Sequence, residues 1–248
     1  MNYADPRWPN VFIITHPVVQ ERLTVARDKG TPVEQFRRLV GHIARLMAFE
    51  ITRDYPSIPC EVLTPMGPCV GSKLARELTL VPILRAGLGM AEGIHELLPA
   101  ARMAHLGIYR NEETLQPVVY YHKLPAGISK TDVIIIDPML ATGGSVNTAI
   151  DFIKKTGATN IKMLCLLAAP EGINAMNAKH PNIPIYTAAV DQGLNEKGYI
   201  VPGLGDAGDR LLERGDNTAV SSRSSGKRAD AKISAAGDAM NDIPCRLA

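Results

Sequence analysis

The sequence predicts an α/β fold on a central, mostly parallel sheet flanked by helices, and three observations carry that prediction. Apolar runs at 78–84, 133–136, 161–168 and 185–190 are continuous rather than alternating, which suits strands buried on both faces. Helical stretches lie between them, the order that parallel strands require. An acid, Asp137, stands at the carboxyl end of Val133-Ile134-Ile135-Ile136 and opens a turn rich in small, hydroxyl and glycine residues. Open parallel sheets bind their ligands outside the carboxyl ends of the strands.

Two helical patterns come first. Residues 18–29 carry Val19, Leu23 and Ala26 on one face and meet Gly30, a C-terminal stop. Thr31-Pro32-Val33-Glu34 reads as a capping box with proline at the first helical position. The helix behind it carries the stripe Phe36, Leu39, Val40, Ile43, Leu46 and Met47, a core or subunit-interface face with no catalytic role. Residues 54–73 mix proline and glycine with short Val and Leu runs, the pattern of a hairpin. Strand 78–84, helix 91–98 and strands at 104–109 and 118–122 follow. Strand 133–136 leads to a helix at 147–156, strand 161–168 to a helix at 171–180, and strand 185–190 comes last. The density of Gly and Pro in 191–209 argues against regular structure there, and a loop this long in a compact domain is usually functional.

At 248 residues the chain is long enough for one sizeable domain. Basic and acidic residues balance through Glu213, so the whole net charge of +2 lies in 214–248. That near-neutral balance argues against a nucleic-acid surface. Residues 1–213 are read as the domain and 214–248 as a disordered tail, too poor in large apolar residues to offset its ordering entropy. No leader pattern and no apolar run near the ~18 residues of a membrane span occurs, which predicts a soluble, cytoplasmic protein without membrane partners. Cys60, Cys69, Cys165 and Cys245 have no close paired spacing, so buried thiols are expected rather than a zinc site or disulfides.

The turn after Ile136 carries the chemistry. A glycine-rich turn entering a helix presents backbone N–H groups that suit a phosphate. The helix dipole supplies only about 0.3–1 kcal/mol, so directed hydrogen bonds from the turn, Thr142 and Ser145 must do most of the holding. Asp137 is wrong for phosphate and right for sugar hydroxyls, and together they form a grip for a ribose 5-phosphate. A glycine-rich turn alone is more often plain structure than a site. The full string Asp137-Pro138-Met139-Leu140-Ala141-Thr142-Gly143-Gly144-Ser145, however, resembles the phosphoribosyl-diphosphate signature of type I phosphoribosyltransferases, in the form carried by the uracil phosphoribosyltransferase family. Many members place two adjacent acids where this chain has Asp137-Pro138. One acid is left for the ribose diol, and no direct metal ligand is carried over.

Three further strings bear the same resemblance. In Pro82-Ile83-Leu84-Arg85-Ala86-Gly87, the family's context for its diphosphate-binding arginine, Arg85 offers a planar fork to a diphosphate. Tyr109-Arg110-Asn111-Glu112-Glu113-Thr114 resembles the family's flap, which makes Arg110 a second anion contact; Glu112 and Glu113 would orient it or meet a metal. The 191–209 string resembles the family's uracil-reading region: backbone groups near Ile200 and from Gly205 through Asp206 to Ala207 match the base edge, and Asp206 contacts phosphoribosyl diphosphate, directly or through metal or water. The resemblance implies a type I phosphoribosyltransferase fold with a flap hairpin and a C-terminal base-binding loop. It also implies transfer of phosphoribosyl to uracil, giving UMP and diphosphate in pyrimidine salvage. Arg85, Arg110, Asp137 and Asp206 would be the catalytic set, Mg²⁺ would be held mainly through the diphosphate, GTP is a candidate allosteric effector, and a homo-oligomer (dimer or tetramer) is expected. A sensor that binds phosphoribosyl diphosphate without catalysis and an enzyme for a purine or orotate are the competing readings; the neutral core and the base string weigh against them.

Overall fold

The computed structural model describes residues 3–110 and 117–212. Its first half runs β1 (Tyr3–Asp5), β2 (Trp8–Ile13), α1 (Pro17–Arg27), α2 (Val33–Ile51), β3 (Ser57–Thr64), β4 (Gly67–Leu74), β5 (Leu78–Leu84) and α3 (Gly87–Leu97). Next come β6 (Arg102–Met103), β7 (His105–Arg110), β8 (Pro117–Lys123), β9 (Asp132–Ile136), β10 (Met139–Leu140) and α4 (Gly144–Lys154). The chain continues through β11 (Ile161–Ala168), α5 (Pro170–Lys179), β12 (Ile185–Val190), β13 (Gly193–Leu194), β14 (Ile200–Val201) and α6 (Ala207–Leu212). The tail expected at 214–248 lies outside the described residues.

The main sheet has the order β1-β2-β12-β11-β9-β5-β7-β8. Every pairing from β2 across to β7 is parallel, and only the edge pairs β1–β2 and β7–β8 are antiparallel. Alternate residues of β9 feed two cores. Ile134 and Ile136 pack under α1, α2 and α3, while Val133 and Ile135 pack with α4 and α5. Continuous β-branched sequence is therefore what the position demands, since both pleat directions are buried. In α2, Phe36, Val40, Ile43 and Met47 are fully buried, the expected core stripe.

The structure differs from the sequence expectation in several places. Thr31 does not form a capping box: Pro32, not Thr31, occupies the cap position, with no side-chain cap bond. The Thr31 hydroxyl instead donates 2.5 Å to the Val25 carbonyl oxygen. Strands β1 and β2 were not expected, because Pro9 and Asn10 interrupt the apolar pattern of β2. Helix α3 begins at Gly87 and α4 at Gly144, ahead of the expected starts at 91 and 147, because their first turns are rich in glycine. The 191–209 segment is not wholly irregular: β13 and β14 pair antiparallel, and α6 starts inside it. Among the described cysteines only Cys165 is buried, while Cys69 is exposed and Cys60 intermediate.

Candidate active site

Register brings the functional strings to one edge of the sheet. Pro82 of β5 pairs with Ile136 of β9, and Ala168 of β11 pairs with Val190 of β12. The residues that follow these strands, Arg85, Asp137 and Asp191, therefore emerge together at the carboxyl ends. A cavity of about 470 Å³ opens there. Leu84, Arg85 and Ala86 line it from the first string, Asp137, Pro138, Met139 and Ala141 from the second, and Gly198, Tyr199, Ile200 and the run Gly205 to Asp209 from the third. Ile108, Tyr109 and Tyr120 of the β7–β8 hairpin close a further side.

Arg85 is joined to Leu84 by a cis peptide bond and is exposed, with α3 starting two residues later. The start of α3 lies so close to β9 that a Cβ on Gly87 would collide with the Ile136 carbonyl oxygen. Glycine here lets the Arg85 turn sit directly against the Asp137 turn.

The Asp137 turn is stitched to β11. Asp137 N donates to Leu164 O (3.2 Å), and Pro138 O accepts from Leu166 N (3.0 Å) and Leu167 N (3.1 Å). Leu140 is fully buried and serves the core. Gly143 caps α4 with φ of 79°, and a Cβ there would meet Gly172 O at 2.9 Å, so both conformation and space call for glycine. The first N–H groups of α4, from Gly144 up to the bond of Asn147 N to Gly143 O, have no carbonyl a turn earlier to pair with. Thr142 is exposed and lies beside Gly198, whose Cβ position is 3.8 Å from Thr142 Cγ2. Thr142, Gly143, Gly144 and Ser145 thus extend from the cavity lining rather than form part of it.

Burial pushes the Asp137 carboxyl up to about 7, and a hydrogen bond from the Met139 backbone opposes that rise. Near neutral pH this group is poised between donor and acceptor, apt for sugar hydroxyls. Asp206 Oδ1 accepts from Asp209 N at 2.9 Å, so the carboxylate also caps α6 while it lines the cavity. Arg110 closes β7 by its backbone; its side chain, with Asn111, Glu112, Glu113 and Thr114, lies outside the described residues.

Residues without a motif signal hold the third string in place. Arg27 grips Asp191, and Arg210 donates to Leu204 O at 2.8 Å and Ala26 O at 2.6 Å. Partners separated by more than 160 positions leave no local pattern in a sequence.

A model of the uracil phosphoribosyltransferase family matches residues 13–213. A uracil phosphoribosyltransferase of Halalkalibacterium halodurans is 57% identical over 203 residues, covering 82% of this chain and 97% of that protein. One from a Thermoanaerobacter species is 56% identical over 206 residues, covering 83% and 98%. Among solved structures, the AQ2163 protein from Aquifex aeolicus superposes with a TM-score of 0.78 at 38% identity, covering 82% of this chain and 97% of that one. Adenine phosphoribosyltransferase of Trypanosoma brucei shares the fold at 14% identity, with a TM-score of 0.53 over 77% of this chain and 87% of that one. With its strings gathered at one cavity and its sequence matched over four-fifths of its length, the chain belongs to the uracil phosphoribosyltransferase family.

Proposed function

We propose that the chain transfers phosphoribosyl from phosphoribosyl diphosphate to N1 of uracil, releasing UMP and diphosphate. The observation that carries this reading is the convergence of Arg85, Asp137, Ile200, Asp206 and Ala207 on one cavity. The 5-phosphate would rest on the N–H groups and hydroxyls of Thr142 to Ser145, and Asp137 would hold the ribose hydroxyls. Uracil would present its acceptor–donor–acceptor edge to the main chain at Ile200 and Gly205 to Ala207. A site built to hydrogen-bond its substrate rejects a mismatched edge such as that of cytosine by ~10⁴–10⁵.

No covalent nucleophile is required; the protein positions the reactants and stabilises charge. As the bond from C1 to diphosphate lengthens, positive charge grows on the ribose ring and negative charge on the leaving group. Arg85 and Arg110 meet the latter. Tyr109 and Tyr120, with ring centroids 6.0 Å apart, wall the hairpin side and help exclude water.

Mg²⁺ fits the donor set. Asp137, Asp206 and Asp209 line the cavity with Arg85 as the sole cation among its described lining residues, so a polyanion enters favourably only with accompanying positive charge. Held mainly through the diphosphate, with the carboxylates of Asp137 and Asp206 as oxygen donors in the cavity lining, the ion would neutralise leaving-group charge.

Incubation with Mg²⁺, phosphoribosyl diphosphate and each base separately tests the reading: nucleotide should form from uracil and not from cytosine, purines or orotate. A homo-oligomer is part of the proposal. The β3–β4 hairpin exposes Leu63 (83%), Met66 (95%) and Val70 (69%), an apolar surface suited to a second copy of the chain. GTP activation is carried from the family resemblance, and adding GTP to the same assay tests it. No helix among the described residues is long and apolar enough to cross a membrane; a cytoplasmic location is part of the proposal.

A further inference from the structure

The base-reading loop is held from outside by an ion pair that touches no substrate-facing group. Arg27, the last residue of α1, donates from both terminal nitrogens to Asp191, at 2.7 Å and 2.6 Å. The same arginine donates to Gly203 O at 2.7 Å, and Asp191 Oδ2 accepts from Gly203 N at 2.9 Å. Both backbone polar groups of Gly203 are thus captured by one charge pair. The Asp191 side chain is 6% exposed and that of Arg27 24%, so the pair is largely withdrawn from water. Asp191 is itself fixed to the sheet by its N–H, which donates to Ala168 O at 2.9 Å. Arg210 holds the next residue, donating 2.8 Å to Leu204 O while its guanidinium lies 4.0 Å from the Phe36 ring centre.

A withdrawn ion pair is weak evidence for stability, because desolvation cancels much of the attraction. What it does supply is direction: two parallel bonds to the carboxylate, and one bond to each of the peptide groups flanking the Gly203 Cα, fix that residue's main chain against α1. Gly203 stands two residues before the Gly205 to Ala207 main chain and two residues after Val201. We infer that Arg27 and Asp191 are positioning residues for uracil, setting where the base-reading main chain sits while taking no part in binding phosphoribosyl diphosphate. The inference rests on the uracil-reading assignment proposed above. It weighs on the two substrates unequally: the Asp137 turn and Arg85 are anchored to β9, β11 and β5 and do not hang on the Arg27–Asp191 pair, so of the proposed phosphoribosyl-diphosphate contacts only Asp206 shares the loop.

The test is steady-state kinetics on the full chain, varying each substrate, for Arg27→Met, Arg27→Lys, Asp191→Asn and, as a direct probe of the loop, Ala207→Val. The expected result is a KM for uracil raised about tenfold or more in Arg27→Met and Asp191→Asn, with a clearly smaller rise, about threefold or less, in KM for phosphoribosyl diphosphate, which loses only the placement of Asp206. Arg27→Lys, which keeps the charge and loses the fork, should fall between. Should Arg27→Met fail to fold, Arg27→Lys and the isosteric Asp191→Asn carry the comparison. Unchanged uracil KM, or equal rises for both substrates, overturns the inference. If Ala207→Val raises the uracil KM and the pair variants do not, only this inference fails. If Ala207→Val also leaves it unmoved, the loop assignment falls as well.

Discussion

Asp137 carries two opposed demands. Its half-buried carboxyl is held up to about 7, against an ordinary carboxylate value of 3.8, because burial disfavours its charge. The folded free protein therefore binds the proton more tightly than the unfolded chain does. That contribution to stability is complete below about pH 4 and is lost as pH rises through about 7. Asp137→Asn removes the charge and keeps the shape. It should raise stability at pH 8 by about 1–2 kcal/mol, read by denaturant unfolding, and flatten the pH dependence between 4 and 7. The same variant should lose most activity, since its amide offers the ribose diol one acceptor oxygen and no charge. Arg85 presents the complementary case: exposed, at the strand end, and proposed to serve the transition state rather than the fold. Arg85→Ala should leave the melting temperature near wild type and lower turnover by ~10²–10³, as for other preorganised donors aimed at developing charge.

Helix α4 links the Gly143 turn, the proposed phosphate seat, to the packing behind it. Its Asp151 and Lys154 face the buried His180 at the end of α5, with Lys154 Nζ 3.0 Å from His180 Nδ1 and Asp151 Oδ1 3.3 Å from Nε2. Lys179 and the backbone of Asn147 also act on the ring. Burial is the main cause that lowers the His180 pKa below 6.5, followed by Lys154, with Asp151 opposing. The neutral ring belongs to the folded state, so its contribution is present above pH 6.5 and is lost as pH falls through the lower folded value. Thermal melts from pH 7.5 down to 5 should show a decline that His180→Gln lacks. At the other end of α4, Gly143→Ala meets both a φ of 79° and the Gly172 carbonyl. It should lower stability by about 1–2 kcal/mol and weaken phosphoribosyl-diphosphate binding, measured by calorimetry, more than uracil binding. The strands β5, β11 and β12 were legible to the residue because a strand buried on both faces writes itself as an unbroken apolar run. Helix starts were less legible: α3 begins at Gly87 and α4 is capped by Gly143, glycines required by close approach that carry no helical signal. The hairpin β3–β4 was visible as a turn-rich segment, whereas β2 was hidden by Pro9 and Asn10. The Asp137, Arg85 and Ile200 segments could be read because each is a contiguous string. The clasp of Arg27 and Asp191 could not, because nothing near Arg27 in the chain distinguishes it from a surface helix end.

At the scale of the molecule, the parallel sheet makes the site possible by placing unrelated chain segments side by side at one edge. The β3–β4 hairpin stands apart from that work, with Leu63 and Met66 turned to solvent. If a second copy covers them, Leu63→Glu with Met66→Glu should shift sedimentation velocity to a smaller species at micromolar concentration without loss of folded structure. An unchanged sedimentation coefficient would count against that surface as the contact. The central claim, that separate strings clasp one nucleotide, is tested most directly by a crystal structure of the protein with UMP. The account predicts the phosphate on the N–H groups of Gly143 to Ser145, the ribose hydroxyls at Asp137, and the uracil edge on the main chain of Ile200 and Gly205 to Ala207. A nucleotide bound with its base away from that main chain, or its phosphate away from the Gly143 turn, would contradict it.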